Sequence, residues 1–222
     1  MNKDCDSPQA HPAYARPLAG LPRLTTVCRP DEARPVPDDA QCFALWDKYD
    51  MLPNIRRHSM LVAHIATTLA LLAKEIGLAT NVAEVRASGL LHDIAKTYCV
   101  RHGGSHAQVG ASWIVSETGN HAVAQGVMLH VWWPWDVPDG QEICALPFYV
   151  MYADKRIRHD KCVTLQARYE DLLNRYGVTK EARQGIDLAY RQGQHIESAL
   201  EAQLGLSLHE NSFDCGRVVH RA

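Results

Sequence analysis

Apolar positions recur every three or four residues along most of this chain, the spacing of helices that bury one face. Strict alternation of apolar and polar residues, the mark of a half-buried strand, is nearly absent. Helix boundaries follow from punctuation. A short helix is expected over 41–52, ended by Pro53. Asn54 is suited to cap a second, which runs to about Ile76 and closes at Gly77. Asn81 can cap a third through Val82, Val85, Leu90, Leu91 and Ile94. Gly103-Gly104 breaks the chain, Ser105 can cap a fourth helix to about Thr118, and Gly119 ends it before Asn120 caps a fifth. Residues 131–140, with three Trp and two Pro, read as a loop. Residues 144–158, 164–176 and 180–203 supply three more helices. The fold class expected is all-α, about eight helices around one hydrophobic core with no internal repeat.

Composition changes this picture only at the N-terminus. Residues 1–40 hold seven of the eleven Pro and show no helical period, so they read as an extended arm before a domain over 41–222. The 222 residues carry 23 Lys plus Arg against 25 Asp plus Glu, a formal net charge of −2. That balance argues against nucleic acid as the main partner. No run of about 18 apolar residues exists and no apolar leader follows Met1, so neither a membrane span nor a signal peptide is expected. The seven Cys are odd in number, widely spaced and form no CxxC, and read as reduced thiols of a cytoplasmic protein.

The chemistry lies in polar residues on apolar faces. His58 shares a stripe with Val62, Ile65, Leu69, Leu72 and Ile76, whereas His64 falls about 120° away and reads as surface. The third helix ends in Gly89-Leu90-Leu91-His92-Asp93-Ile94-Ala95-Lys96. A carboxylate among Leu and Ile needs a partner, and a metal ion or a His–Asp pair capping the helix end would supply one. His121 and His130 are about 180° apart on a straight helix, and His130 has the apolar companions Val123 and Val127. His102, His121, His159, His195, His209 and His220 are assigned to the surface.

His58, then His92-Asp93, then Asp154 in Tyr152-Ala153-Asp154-Lys155 resemble the ligand series of the HD-domain metal-dependent phosphohydrolases. The tract 89–96 is the most specific piece, and the likeness covers roughly residues 54–160, ahead of C-terminal helices over 164–205. His106 in Ser105-His106-Ala107-Gln108 and His130 extend the order to that of the two-metal HD enzymes. It is most similar to the bacterial family that splits diadenosine tetraphosphate symmetrically. The resemblance implies that His58, His92, Asp93 and Asp154 hold one ion, and that Asp93 bridges to a second held by His106 and His130. The Gly-Tyr-Pro signature of the cyclic-di-GMP-cleaving group is absent.

Four imidazoles and two carboxylates suit iron first, then manganese, cobalt or zinc, with no organic cofactor. Such a centre implies hydrolysis of a phosphate ester or anhydride in a nucleotide or related small molecule, through a metal-activated water. Asp93 and Lys96 are the catalytic candidates. Lys96, Arg57, Lys155 and Arg158 are candidates for binding phosphate, and Arg156 with its two basic neighbours could line the mouth. The same ligand set also serves di-iron HD oxygenases, and an HD fold without turnover could act as a ligand sensor. The Trp132-Trp133-Pro134-Trp135 run reads as a hydrophobic plug, or else as an aromatic wall for a base. The C-terminal helices show no chemistry and could form a lid or a homodimer surface.

Overall fold

A computed structural model describes residues 34–209, 212, 213 and 215. The Pro-rich arm up to residue 33 and His220 lie outside the described residues. The α-helices are α1 (Asp39–Lys48), α2 (Pro53–Glu75), α3 (Val82–Leu91), α4 (Lys96–His102), α5 (His106–Thr118), α6 (His121–Leu129), α7 (Leu146–Lys155), α8 (Leu165–Tyr176) and α9 (Lys180–Leu204). A 3-10 turn spans Gly140–Cys144, and a hairpin pairs β1 (Ile157–Arg158) with β2 (Lys161–Cys162). The fold is all-α as the periodicity implies; strands this short carry no alternation to read.

Side chains set most boundaries. Asp38 closes a capping box with Gln41 at the start of α1. Asn81, Ser105, Asn120, Thr164 and Thr179 cap α3, α5, α6, α8 and α9 by accepting a backbone N–H two or three residues on. Asn54 does not cap α2. Pro53 occupies the first helical position, where its missing N–H costs nothing and its fixed φ fits the helix. The third helix stops at Leu91 rather than running through Ile94, a turn covers 92–95, and α4 follows. No Gly or Pro marks that break.

α2 packs most closely on α3 and α7, and α5 packs on α6. Gly89 makes the α2–α3 crossing possible, since a Cβ there would lie 2.6 Å from Ala63 Cα. The expected single core is instead two apolar groups. One joins α2, α7 and α9 through Leu61, Ile65, Tyr149, Met151 and Leu200. The other joins α1, α3, α5 and α6 through Trp46, Leu90, Ile94, Ile114 and Val127. α2 contributes to both because it is buried on more than one side. Trp133 is the plug: its ring lies 4.8 Å from that of Phe148, and its indole N–H donates to the Asp136 carbonyl at 3.0 Å. No helix among the described residues is long and apolar enough to cross a membrane.

Candidate metal centre

Six polar side chains from five helical segments meet in the interior. His58 comes from α2, His92 and Asp93 from the turn after α3, His106 from the first position of α5, His130 from the C-terminal cap of α6, and Asp154 from the last turn of α7. Neighbouring residues on a helix diverge by about 100°. The turn at 92–95 is what lets His92 and Asp93 face one point.

Asp93 stands at the centre. Its Oδ2 lies 3.4 Å from His92 Nε2 and 3.8 Å from His58 Nε2. Its Oδ1 lies 3.3 Å from His106 Nε2 and 3.7 Å from His130 Nε2. Asp154 Oδ1 completes the first side, 2.9 Å from His58 Nε2 and 3.8 Å from His92 Nε2. On the second side His106 Nε2 and His130 Nε2 are 3.2 Å apart. Donor atoms each about 2.1 Å from one ion at tetrahedral or octahedral angles lie about 3.0–3.4 Å from one another. In each of the two groups His58–His92–Asp93 and Asp93–His106–His130 the donor atoms all lie within 4.8 Å of one another, somewhat wider than that spacing.

Two main-chain carbonyls orient the deepest imidazoles. His92 Nδ1 is 2.8 Å from the Gly89 carbonyl, and His130 Nδ1 is 2.7 Å from the Val127 carbonyl. An N–H on Nδ1 satisfies each carbonyl and turns a bare Nε2 lone pair toward Asp93. His92 Nε2 and Asp93 Oδ1 are then buried with no hydrogen-bond partner among the described residues. Orphaned buried acceptors are costly, and a cation between them removes the cost. The residues present therefore fit a transition-metal ion.

Charge is arranged to match. Burial alone would raise the Asp93 carboxyl, but Lys96 and His92 hold it well below its ordinary range. Asp154 is likewise held down, against burial, by its bond to His58. Burial, reinforced by His92 and His106, pushes His130 well below its usual value and keeps it neutral. Both carboxylates are thus ionised and His130 is unprotonated, the states a metal requires; His92 is raised, against burial, by the Asp93 charge, so an ion there would displace its proton.

One side of the cluster is open. His92, Asp93 and His130 side chains are 0–2% exposed, whereas His58, His106, Lys96 and Asp154 are 12%, 17%, 17% and 21% exposed. Lys96 reaches that rim and bonds Asp93 Oδ2 at 2.9 Å. The other basic candidates are placed differently. Arg57 is exposed on α2, and Arg158 is half-buried in β1. Lys155 does not line a mouth. It is buried, and its ammonium donates to the carbonyls of Val131 at 3.1 Å and His130 at 3.4 Å. Burial, partly offset by Asp154, brings its pKa down to about 8. Arg156 is fully buried and bonds the carbonyls of Val163 and His209 and the Tyr152 hydroxyl. Both side chains point inward because they close the end of a helix buried on all sides.

Lys155, expected from sequence to bind phosphate, instead holds the main chain of His130 from behind. Lys155→Met is expected to leave the helical content intact and weaken metal affinity by about 10–100-fold, the effect usual for an orienting partner, as metal titration would show. His102, His121, His159, His195 and His209 are exposed, as their assignment to the surface implies; His64 is half-buried.

Comparison with known proteins agrees with this geometry. The HD domain family matches residues 55–158. Ribonuclease Y of Opitutus terrae is 38% identical over 77 residues, and ribonuclease Y of Fervidobacterium nodosum 39% over 77. Each alignment covers 35% of this chain, and the chain spans about 14% of the length of these curated relatives. No solved structure matches. The all-α architecture and the buried histidine–aspartate cluster are consistent with the match of residues 55–158 to the HD domain family.

Proposed function

We propose that the protein is a metal-dependent phosphohydrolase that cleaves a phosphate ester or anhydride bond in a nucleotide or related small molecule, in the cytoplasm. The observation that carries this reading is Asp93, whose two oxygens face two separate histidine groups. Two ions there, iron first or else manganese, cobalt or zinc, would supply Lewis-acid polarisation of phosphoryl oxygens and a water of near-neutral pKa. His58, His92 and Asp154 would hold one ion and His106 and His130 the other, with Asp93 shared. The carbonyls of Gly89 and Val127 keep the imidazoles aimed. The exposed edge at His58, His106 and Asp154 admits substrate, and the buried floor excludes bulk water.

Lys96 stands on that open rim with a flexible stem and a fixed charge. It is suited to bind a phosphoryl oxygen as charge builds there in the transition state. Lys96→Ala is expected to lower kcat by about 100-fold while metal content stays near that of the unaltered protein. Equal losses of metal and activity would make Lys96 only the ion-pair partner of Asp93.

The test is a hydrolysis panel with manganese or ferrous iron. It comprises para-nitrophenyl phosphate, its bis ester, mononucleotides, nucleoside triphosphates, diadenosine tetraphosphate and a short RNA. Diadenosine tetraphosphate belongs because of the ligand order, and RNA because the curated relatives are ribonucleases Y. Turnover lost in His92→Ala supports the reading. Oxygen consumption with no phosphate release would point to an oxygenase, and tight nucleotide binding with no turnover to a sensor.

A further inference from the structure

The segment 131–139 leads away from His130 without helix or strand, yet Trp133 within it is only 3% exposed. A buried peptide group outside regular structure must find its partners elsewhere. Gln192 supplies both for Trp133. Its Oε1 accepts the Trp133 N–H at 3.1 Å, and its Nε2 donates to the Trp133 carbonyl at 2.8 Å. A carboxamide carries donor and acceptor side by side, so this one side chain stands in for a neighbouring strand.

Gln192 shares the inner face of α9 with the buried Gly193, Ile196 and Leu200. Gly193 leaves room for Lys155, whose Cδ is 3.5 Å from the place a Gly193 Cβ would take. Lys155 in turn donates to the carbonyls of His130 and Val131. Side chains from α7 and α9 thus hold the main chain at residues 130, 131 and 133, where it leaves the cap of α6. The Val127 carbonyl aims the His130 ring only while the main chain at residue 130 keeps its place. α9 lies beyond residue 158, where the HD family match ends.

Given the two-ion centre proposed above, we propose that Gln192 is a positioning residue for the ion held by His106 and His130, and that α9 is thereby part of the frame of the metal centre. Gln192 touches neither ion nor substrate in this role. Loss of its two bonds frees the chain after His130 and leaves His58, His92 and Asp154 in place, so the effect falls on one ion of the pair.

The full chain, stripped of metal, is titrated with manganese by calorimetry, and electron resonance spectra are recorded at two equivalents. The unaltered chain is expected to take up two ions and to give the spin-coupled signal of a close pair. Gln192→Leu is expected to hold one ion as tightly as the unaltered chain. It should bind the second about tenfold more weakly, the lower end of the loss usual for an orienting partner, and show the signal of isolated ions. Hydrogen exchange of the metal-free variant should quicken over 131–136 and stay unchanged in α2. Gln192→Glu keeps the acceptor for the Trp133 N–H and loses the donor to its carbonyl. It should weaken the same ion, which keeps the role testable if the Leu variant does not fold. Gln194→Leu, the same change on the exposed face of α9, should leave both ions unchanged. Equal weakening of both ions would make Gln192 a general packing residue and overturn the proposal, as would unaltered manganese uptake in Gln192→Leu. Uptake of fewer than two ions by the unaltered chain would overturn the two-ion centre itself and the proposal with it.

Discussion

Replacing Asp93 by Asn is expected to empty both halves of the metal centre and to lower phosphohydrolysis by more than about a thousandfold. A single electrostatic donor in an active site is worth about 10²–10³. Asp93 exceeds that because its two oxygens serve both histidine groups, at 3.4 Å from His92 and 3.3 Å from His106. Asn keeps the shape and removes the charge that Lys96 and His92 stabilise against burial. The loss therefore reports on the ion and not on packing, and circular dichroism should show an unchanged helical spectrum. Elemental analysis of anaerobically purified variants checks the metal directly. His102→Ala and His121→Ala, both exposed, should keep full content. An Asp93→Asn protein that retains its metal would remove the bridging role.

Gly89→Ala is expected to destabilise the fold by about 2–3 kcal/mol through overpacking. The added carbon would sit 2.6 Å from Ala63 Cα, a main-chain atom, so α2 and α3 must move apart. Ala63→Gly cannot relieve that contact because it leaves the Cα in place. For a domain of this size the melting temperature should fall by roughly 5–10 °C. The site feels the same shift. The Gly89 carbonyl holds His92 Nδ1 at 2.8 Å, and α2 carries His58. Metal affinity should fall along with stability. Gly185→Ala in α9 is the control, with open space around its Cβ position. It should stabilise by about 0.5–1 kcal/mol through helix propensity. Equal thermal shifts for the two variants would contradict the close-crossing explanation.

The helices are legible in the sequence because capping residues stand where apolar periodicity starts. Asn81, Ser105 and Asn120 each accept the N–H that the pattern assigns them. Of the six polar side chains that converge, His58, Asp93 and His130 are legible for a related reason, whereas His106 and Asp154 are picked out only by the family resemblance. His58 and His130 interrupt apolar stripes, and Asp93 lies among Leu and Ile, so each stands out against its neighbours. The 180° offset between His121 and His130 separates an exposed imidazole from a buried one. What stays hidden depends on tertiary direction. The break at 92–95 has no Gly or Pro, because convergence of His92 and Asp93, and not local propensity, dictates it. Lys155 and Arg156 look like a basic surface in a string of letters, yet the path of α7 into the interior turns both inward. Trp133 is a plug because Gln192, far along the chain in α9, bonds its N–H and its carbonyl at 3.1 and 2.8 Å.

Anomalous diffraction from crystals grown anaerobically with manganese or ferrous iron, recorded at the metal's absorption edge, tests the central claim most directly. Two peaks flanking the Asp93 carboxylate are predicted, about 3.5–4 Å apart, one beside His58, His92 and Asp154 and the other beside His106 and His130. A well-ordered map with no peak in contact with Asp93 would contradict the account.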